Sequence, residues 1–322
     1  MSVTEPYVRD DEKPVSNSAG GANATRPRRD MTCRAAGVTD PGRKRPQNQD
    51  NYLIVELTQR EGAVVLRPEI GSGDGRAAAD FDLDDAGALL LVADGMGGAP
   101  GGQLASGLAC SFILAELQAS WHPERERTAP RLIEHLKNAV SAANRHIRGH
   151  AVRHLELTGM GTTVTAAGVL DGVLVIAQVG DSRAYLVRDG LVTQLTHDQS
   201  LVQQLIDHNI ITPEQAEESE QASVVLQALG AQSSIEVGLT THELYREDWL
   251  VVCSDGLYRV VRPEEISAVV RDARDSAAVA ERLVSLANER GAPDNVTVVA
   301  ARFEGLGFPR STPLDALMLP AM

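Results

Sequence analysis

Two Asp-Gly pairs in the middle of the chain constrain its fold more than any other feature. They are Asp171-Gly172 and Asp189-Gly190, and each separates two short segments with the composition of β-strands. Aspartate followed by glycine favours tight turns, so each pair predicts an antiparallel hairpin. The four strands predicted around these turns span residues 162–170, 173–179, 182–188 and 191–195. An antiparallel sheet is therefore expected near the centre of the fold.

The remaining pattern alternates between strands and helix pairs. Further strands are predicted at residues 52–57, 64–66, 88–94, 235–239, 249–254 and 296–303, and helices at about 103–120, 131–150, 264–271 and 276–290. Strands that are apolar on both faces, such as 88–94, need cover on both sides. Two sheets packed face to face with helices outside meet that need. The predicted fold class is α+β: a four-layer αββα sandwich of two mainly antiparallel sheets flanked by helix pairs.

The 322 residues are expected to form one domain with loose ends, because no proline-rich linker divides the middle. Residues 1–30 have hardly any large apolar side chain and are predicted to be a disordered tail. The domain is predicted to span residues 31–304, followed by a C-terminal tail at 305–322. Residues 58–87 are rich in Gly, Asp and Ala, and we interpret most of this stretch as a surface excursion.

Charge and cysteine content exclude several classes of protein. The net charge of −14 and the pI near 5.0 argue against nucleic acid or an anionic membrane as the main partner. Three scattered cysteines, Cys33, Cys110 and Cys253, form no paired framework and fit a reducing compartment. No apolar run is long enough to span a bilayer, and no signal peptide is recognisable. A cytoplasmic location is predicted.

Carboxylates at the ends of predicted strands are the main candidates for chemistry. Asp50, Asp94, Asp255 and Asp294 each lie beside an apolar segment. Any one of them, taken alone, fits a turn residue or a helix cap. Four in matching contexts favour a bound cation, because a buried carboxylate is costly without a positive partner. Carboxylates and carbonyls without paired His or Cys select Mg²⁺ or Mn²⁺ over zinc.

Six short segments carry a resemblance to a known family. They are RPQNQD (45–50), DGMGG (94–98), GTT (161–163), VGDSRAY (179–185), SDGL (254–257) and PDNVT (293–297). This order resembles the metal-dependent protein phosphatases, protein phosphatase type 2C, in their bacterial serine/threonine branch. The resemblance covers about residues 33–303. It implies a sandwich with a binuclear Mn²⁺ or Mg²⁺ centre between the sheets and hydrolysis of phosphoserine and phosphothreonine in proteins.

The resemblance also implies a role for each acidic residue. Asp94 would bridge two metals, and the Gly95 carbonyl would bind one of them. Asp50 would bind on the Asp94 side, whereas Asp255 and Asp294 would hold the other metal. Two cations that share Asp94 would lower the pKa of a bridging water, so water or hydroxide would attack phosphorus directly.

Other positions complete the expected site. Arg45 matches the family's phosphate-binding arginine, since a guanidinium suits phosphoryl oxygens. Met96 stands where eukaryotic members often carry a histidine acid, so protonation of the leaving group is expected to come from water. A third, weaker metal site formed by Asp255 and Glu156 is an open alternative.

Neighbouring polar residues are given structural roles. Asp181 in VGDSR is interpreted as a turn residue that pairs with Arg183 rather than as a metal ligand. Thr162 and Thr163 are expected to support the metal-binding residues through their hydroxyls, and Gln49 to support metal-bound water at most. The polar helical stretch 199–227, called the flap below, matches a variable family segment beside the active site that can select substrates.

The expected partners are phosphorylated proteins, including serine/threonine kinases and their substrates, and the chain is expected to be a monomer. Two alternatives stay open. One is an inert binding or regulatory domain that kept the fold; a self-repelling acidic cluster argues against it. The other is a specialised phosphatase for a phosphorylated anti-anti-sigma partner, which fused regulatory domains would favour.

Overall fold

The computed structural model describes residues 30–58, 65–66, 68, 75–83, 85–97, 101–312 and 315. Several predictions fall outside these residues. They are the N-terminal tail up to residue 29, Gly98 of the DGMGG segment, the first residue of the strand predicted at 64–66, and most of the chain after residue 312.

Two six-stranded antiparallel sheets form the centre of the fold, with strands numbered in chain order. The first sheet has the spatial order β11 (Leu191–Gln194), β10 (Arg183–Arg188), β13 (Trp249–Cys253), β14 (Val296–Glu304), β1 (Thr32–Asp40), β4 (Gly75–Asp82). The second has the order β12 (Gly238–Glu243), β9 (Val173–Val179), β8 (Val164–Leu170), β5 (Ala88–Ala93), β2 (Asn51–Glu56), β3 (Val65–Leu66). A small ribbon pairs β6 (Gly95–Met96) with β7 (Gly161–Thr162).

Helices cover both outer faces of this pair of sheets. The second sheet packs against α1 (Gly101–Trp121) and α2 (Ala129–Arg153). The first packs against α5 (Asp255–Tyr258), α6 (Pro263–Asp272) and α7 (Ser276–Glu289). The flap contains α3 (Leu201–Asp207) and α4 (Pro213–Glu217). The predicted four-layer αββα sandwich is confirmed.

Strand β5 illustrates how the sequence builds three apolar cores between the four layers. Its side chains alternate between faces. Leu89 and Leu91 lie in the core beneath α1 and α2, whereas Leu90 and Val92 lie in the core between the sheets. An uninterrupted apolar run is therefore needed here, because both faces of the strand are buried.

The interpretation of residues 58–87 as mainly a surface excursion was wrong for its second half. Strand β4 lies in this segment and pairs with β1 along the edge of the first sheet. Neither strand had been predicted. Both are rich in Ala and Gly, so they lack the β-branched alternation that marks strands. A strand at 64–66 had been predicted and corresponds to β3.

The predicted C-terminal tail begins with ordered contacts. Phe308 is only 1% exposed and packs in the core between the sheets. The Gly307 amide donates to the Asp30 carbonyl (2.7 Å), and the Arg246 amide donates to the Pro309 carbonyl (2.8 Å). The chain from residue 305 to 309 therefore packs against the sandwich. Among the described residues, no helix has both the length and the apolarity that crossing a membrane requires.

Candidate active site

Strand register brings the four predicted acidic residues to neighbouring sheet edges. Asn51 pairs with Ala93, so Asp50, which precedes β2, and Asp94, which follows β5, share one edge of the second sheet. Cys253 pairs with Val298, so the ends of β13 and β14 that carry Asp255 and Asp294 share one edge of the first sheet.

Ser254 joins these two edges. Its hydroxyl donates to Asp50 Oδ2 (2.6 Å) and accepts from the Thr297 amide (2.9 Å). Ser254 is fully buried, and Asp50 is 4% exposed. The Asn48 side chain fixes the approach to Asp50, because its Oδ1 accepts from the Asp50 amide (3.1 Å). The first and second sheets are thus tied together directly at the site.

Two threonines hold the backbone of Asp94. Thr163 Oγ1 accepts from the Asp94 amide (3.1 Å), and Thr162 Oγ1 donates to the Asp94 carbonyl (2.9 Å). Gly95 follows where the chain passes close to α1. A Cβ at Gly95 would clash with the carbonyls of Gly102 and Gln49. The structure therefore brings both threonines to the predicted site, and it requires glycine beside Asp94.

Gly256 and Asn295 set the distance between the loops that carry Asp255 and Asp294. A Cβ at Gly256 would clash with the Asn295 carbonyl oxygen. The side-chain Nδ2 of Asn295 donates to the Gln47 carbonyl, and its Oδ1 accepts from the Gln49 backbone amide, both at 2.9 Å. Asn295 thus fixes the loop before Asp50. It stands in the PDNVT segment, but its role was not predicted.

Electrostatic repulsion dominates the site. Burial, with the charges of Asp255 and Asp294, raises the pKa of Asp50 to about 7. Burial raises the pKa of Asp94 well above its ordinary value, and the Asp50 and Asp255 charges add to this effect. Burial also raises the pKa of Asp255, against the opposing charge of a neighbouring arginine. Negative charges this close and this buried favour a cation among them.

The residues present fit hard divalent cations. The Oδ1 atoms of Asp50 and Asp255 are buried and accept no hydrogen bond, although buried carboxylate oxygens normally find a partner. Asp255 Oδ2 lies 2.8 Å from Arg259 Nη2, and Asp294 Oδ2 lies 2.7 Å from Arg45 Nη2. Within residues 30–315, where described, no three His, Cys, Asp or Glu side chains are already arranged closely enough to hold a metal ion. The fit to a divalent cation therefore rests on the carboxylate and carbonyl donors and on the two buried oxygens that accept no hydrogen bond.

Arg45 lies at the rim of the acidic cluster that Asp50, Asp94, Asp255 and Asp294 form. Its guanidinium binds Asp294 with one nitrogen, and its side chain is 56% exposed. Glu156 lies elsewhere in a short 3₁₀-helix, Leu155–Leu157. Its carboxylate is 71% exposed and lies 3.4 Å from His154 Nδ1. The structure thus brings Arg45 to the cluster and pairs Glu156 with a histidine.

The predicted pairing of Asp181 with Arg183 was wrong. Arg183 instead binds both carboxylate oxygens of Asp198 (3.0 and 2.7 Å) and stacks on Tyr258 at 3.8 Å. Asp181 is 2% exposed and accepts from the Tyr258 hydroxyl (3.2 Å). Burial and the charge of Asp255 raise the pKa of Asp181 to about 7. Asp181 therefore belongs electrostatically to the cluster, a role that sequence reasoning missed.

A signal for Asp181 was present in the chain. It lies between β9 of the second sheet and β10 of the first. A residue at such a crossing lies where the two sheets meet, which is also where the other acidic residues converge. Its position between the predicted strands 173–179 and 182–188 was that signal, whereas the assignment of these two strands to different sheets is a tertiary property.

Known proteins match most of this chain. Residues 76–297 match the protein phosphatase 2C family. The chain is 39% identical over 228 residues to the serine/threonine protein phosphatase PstP of Mycobacterium tuberculosis, covering 71% of this chain and 43% of PstP. It is 34% identical over 220 residues to the serine/threonine phosphatase stp of Listeria monocytogenes, covering 68% of this chain and 86% of that protein. The chain thus belongs to the protein phosphatase 2C family.

A solved structure extends the comparison. The catalytic domain of a serine/threonine protein phosphatase PstP, in complex with 2 manganese ions, is 34% identical and superposes with a TM-score of 0.66. The match covers 85% of this chain and 99% of that domain. The chain therefore spans less than half of full-length PstP, but essentially all of its solved catalytic domain.

Proposed function

We propose that this protein is a metal-dependent serine/threonine phosphatase that hydrolyses phosphoserine and phosphothreonine in proteins. The observation that carries the proposal is the convergence of four buried or half-buried carboxylates from two sheets, with two buried oxygens that accept no hydrogen bond. The family and its named phosphatase relatives support the same activity.

The proposed ligands are Asp50, Asp94, the Gly95 carbonyl, Asp255 and Asp294. Two divalent cations, Mn²⁺ or Mg²⁺, would supply an activated water and stabilise the charge that builds on the phosphoryl group. The complex of the related catalytic domain with 2 manganese ions supports this number. A third, weaker site would require Glu156 to turn from His154 towards Asp255, and it remains a proposal.

Arg45 is the proposed phosphate ligand. One guanidinium nitrogen is engaged by Asp294, and the exposed side chain leaves other donors facing solvent. Such a fork can bind two phosphoryl oxygens while it remains anchored to the cluster. Asp294 would thus both contribute to the cation site and orient the group that binds substrate.

The proposed chemistry requires no histidine acid. Met96 occupies the position after Gly95 and has no proton to donate. The seryl or threonyl leaving group would take its proton from water. A pH profile controlled by one histidine is therefore not part of the proposal.

The proposed setting is the cytoplasm, where a monomer would reverse the action of serine/threonine kinases on themselves or on their substrates. The three cysteines are buried and form no disulfide with one another, which fits a reducing compartment. The flap is the proposed site of substrate selection because it is polar and touches Arg259, which binds Asp255 of the cluster.

The experiment is release of inorganic phosphate from a phosphothreonine peptide by the purified chain. We expect activity with Mn²⁺ and its loss in excess chelator, restored when Mn²⁺ is returned. Arg45→Ala should weaken peptide hydrolysis, with Arg43→Ala as the control for charge on the same loop. Hydrolysis that chelation leaves unchanged would contradict the proposed metal centre.

A further inference from the structure

Arg259 contacts both the acidic cluster and the flap. It follows α5, and its Nη2 lies 2.8 Å from Asp255 Oδ2. The same nitrogen donates to the Ala222 carbonyl of the flap at 3.4 Å. Its side chain is 27% exposed, so this bridge is partly shielded from water. An Asp-Arg pair four residues apart is routine on a helix; the second contact is what distinguishes this one.

The flap is a closed loop whose two ends meet. The Leu201 amide donates to the Val224 carbonyl (2.9 Å), and the Leu226 amide donates to the Gln199 carbonyl (2.8 Å). Ala222 lies just inside this neck. A tether at Ala222 therefore restrains the position of the whole loop relative to α5.

The other end of the flap is anchored to the same helical turn. Asp198, the residue before the flap, binds Arg183 through both carboxylate oxygens. Arg183 in turn stacks on Tyr258 of α5 at 3.8 Å. Both ends of the flap are thus connected to the turn that begins with Asp255.

Charge explains why an arginine is suited to this position. The flap contains five acidic residues and neither Lys nor Arg: Asp207, Glu214, Glu217, Glu218 and Glu220. It lies beside a cluster of buried carboxylates, so the two bodies repel each other. The Arg259 guanidinium lies between them and offsets that repulsion. Because it uses only Oδ2 of Asp255, it leaves the unpartnered Oδ1 unobstructed.

We propose that Arg259 is a positioning residue that holds the flap against α5 and thereby favours protein substrates over small phosphate esters. The contacts of Arg259 with Asp255 and Ala222 support its hold on the flap. The preference for protein substrates rests on the proposed phosphatase function. A phosphoprotein extends beyond its phosphate and must contact the flap, whereas a small aryl phosphate reaches only the cluster and Arg45.

The tether is tested first without substrate, by hydrogen exchange of peptides that cover residues 199–227. Arg259→Met keeps the unbranched apolar part of the side chain but removes the guanidinium and every donor. We expect flap amides to exchange about fivefold faster, the scale of one lost hydrogen bond. Arg271→Met is the matched control, because Arg271 is 70% exposed on α6 and pairs with its neighbour Asp272. Unchanged exchange in the flap would overturn the proposal.

Substrate preference is tested with a phosphothreonine peptide and p-nitrophenyl phosphate. For Arg259→Met we expect kcat/KM for the peptide to fall about tenfold more than for the aryl ester, mainly through KM. Equal losses on both substrates would assign Arg259 to Asp255 alone and overturn the selection. If Arg259→Met does not fold, Arg259→Gln, too short to reach Ala222, takes its place. Wild-type protein that hydrolyses neither substrate would refute the proposed function, while hydrogen exchange would still decide the tether.

Discussion

Asp255 shows how much one residue contributes to this site. It starts α5, one of its oxygens binds Arg259, and the other is buried without a hydrogen bond. The neighbouring Gly256 permits contact with the loop that carries Asp294. A side chain in this position acts at once on the cation site and on the flap.

Replacing Asp255 by asparagine should therefore remove activity while preserving the fold. Asp255→Asn keeps the volume but removes one negative charge from the cation site. We expect kcat to fall at least about a hundredfold, the scale seen when an essential electrostatic group is lost. Steady-state kinetics with a phosphothreonine peptide measures this, and circular dichroism checks the fold. Asp272→Asn, an exposed acidic residue on α6, serves as control; near-normal turnover of Asp255→Asn would mean that the assignment is wrong.

Residue types were predictable from sequence, but many of their partners were not. The gathering of Asp50, Asp94, Asp255 and Asp294 follows from acidic residues placed at strand ends. The choice between Asp181 and Asp198 as partner of Arg183 depends on which carboxylate the folded chain brings to the guanidinium. That distance is a tertiary property, and adjacency in sequence pointed to the wrong residue.

At the scale of elements, apolar patterning was a reliable guide where strands are buried on both faces. β5, β9 and β13 are almost continuous runs of large apolar residues and were predicted nearly to their ends. β1 and β4 were missed because alanine and glycine carry little strand preference. Strand β1 is held in the sheet by backbone pairing instead, with nine residue pairs between β1 and β14.

The sequence could not predict the register, which is the choice of residues that lie opposite each other in paired strands. The Asp-Gly turns predicted two hairpins, and Asp171 and Asp189 indeed adopt positive φ values of 51° and 50°. They do not say how β2 lies against β5, or β13 against β14. A shift of one residue would move each acidic residue away from its partner across the sheet. The start of β12, three residues later than predicted, reflects the same limit.

Across the whole molecule, the ionised carboxylates gathered at the junction of the two sheets repel one another, and bound cations would offset this repulsion. Four acidic residues near the junction of the sheets have raised pKa values: Asp50, Asp94, Asp181 and Asp255. The packing of two sheets and two helical layers holds them together. Folding without cations therefore costs free energy whenever these groups are ionised.

This repulsion predicts a pH dependence of stability in chelator-treated protein. The pKa of Asp50 rises from an ordinary 3.8 to about 7 in the folded chain, so between these values the folded state binds a proton that the unfolded state has released. Stability should accordingly fall as pH rises through this window. We expect a lower Tm at pH about 8 than at pH about 5.5, and a larger increase on adding Mn²⁺ at the higher pH.

Scanning calorimetry with and without Mn²⁺ measures these shifts. Asp50→Asn is the informative variant, because its neutral amide removes one titrating group and should flatten the fall between the two pH values. A Tm that does not fall with pH in the chelated wild type would show that ionisation of these carboxylates does not destabilise the folded chain.

Anomalous scattering from crystals grown with Mn²⁺ would locate the cations of the proposed binuclear centre directly. We expect two manganese peaks among Asp50, Asp94, Asp255 and Asp294, each within about 2.5 Å of carboxylate oxygens. The Gly95 carbonyl should bind one of them. Manganese peaks only at other positions, or none in a saturated crystal, would contradict a binuclear centre at the junction of the two sheets.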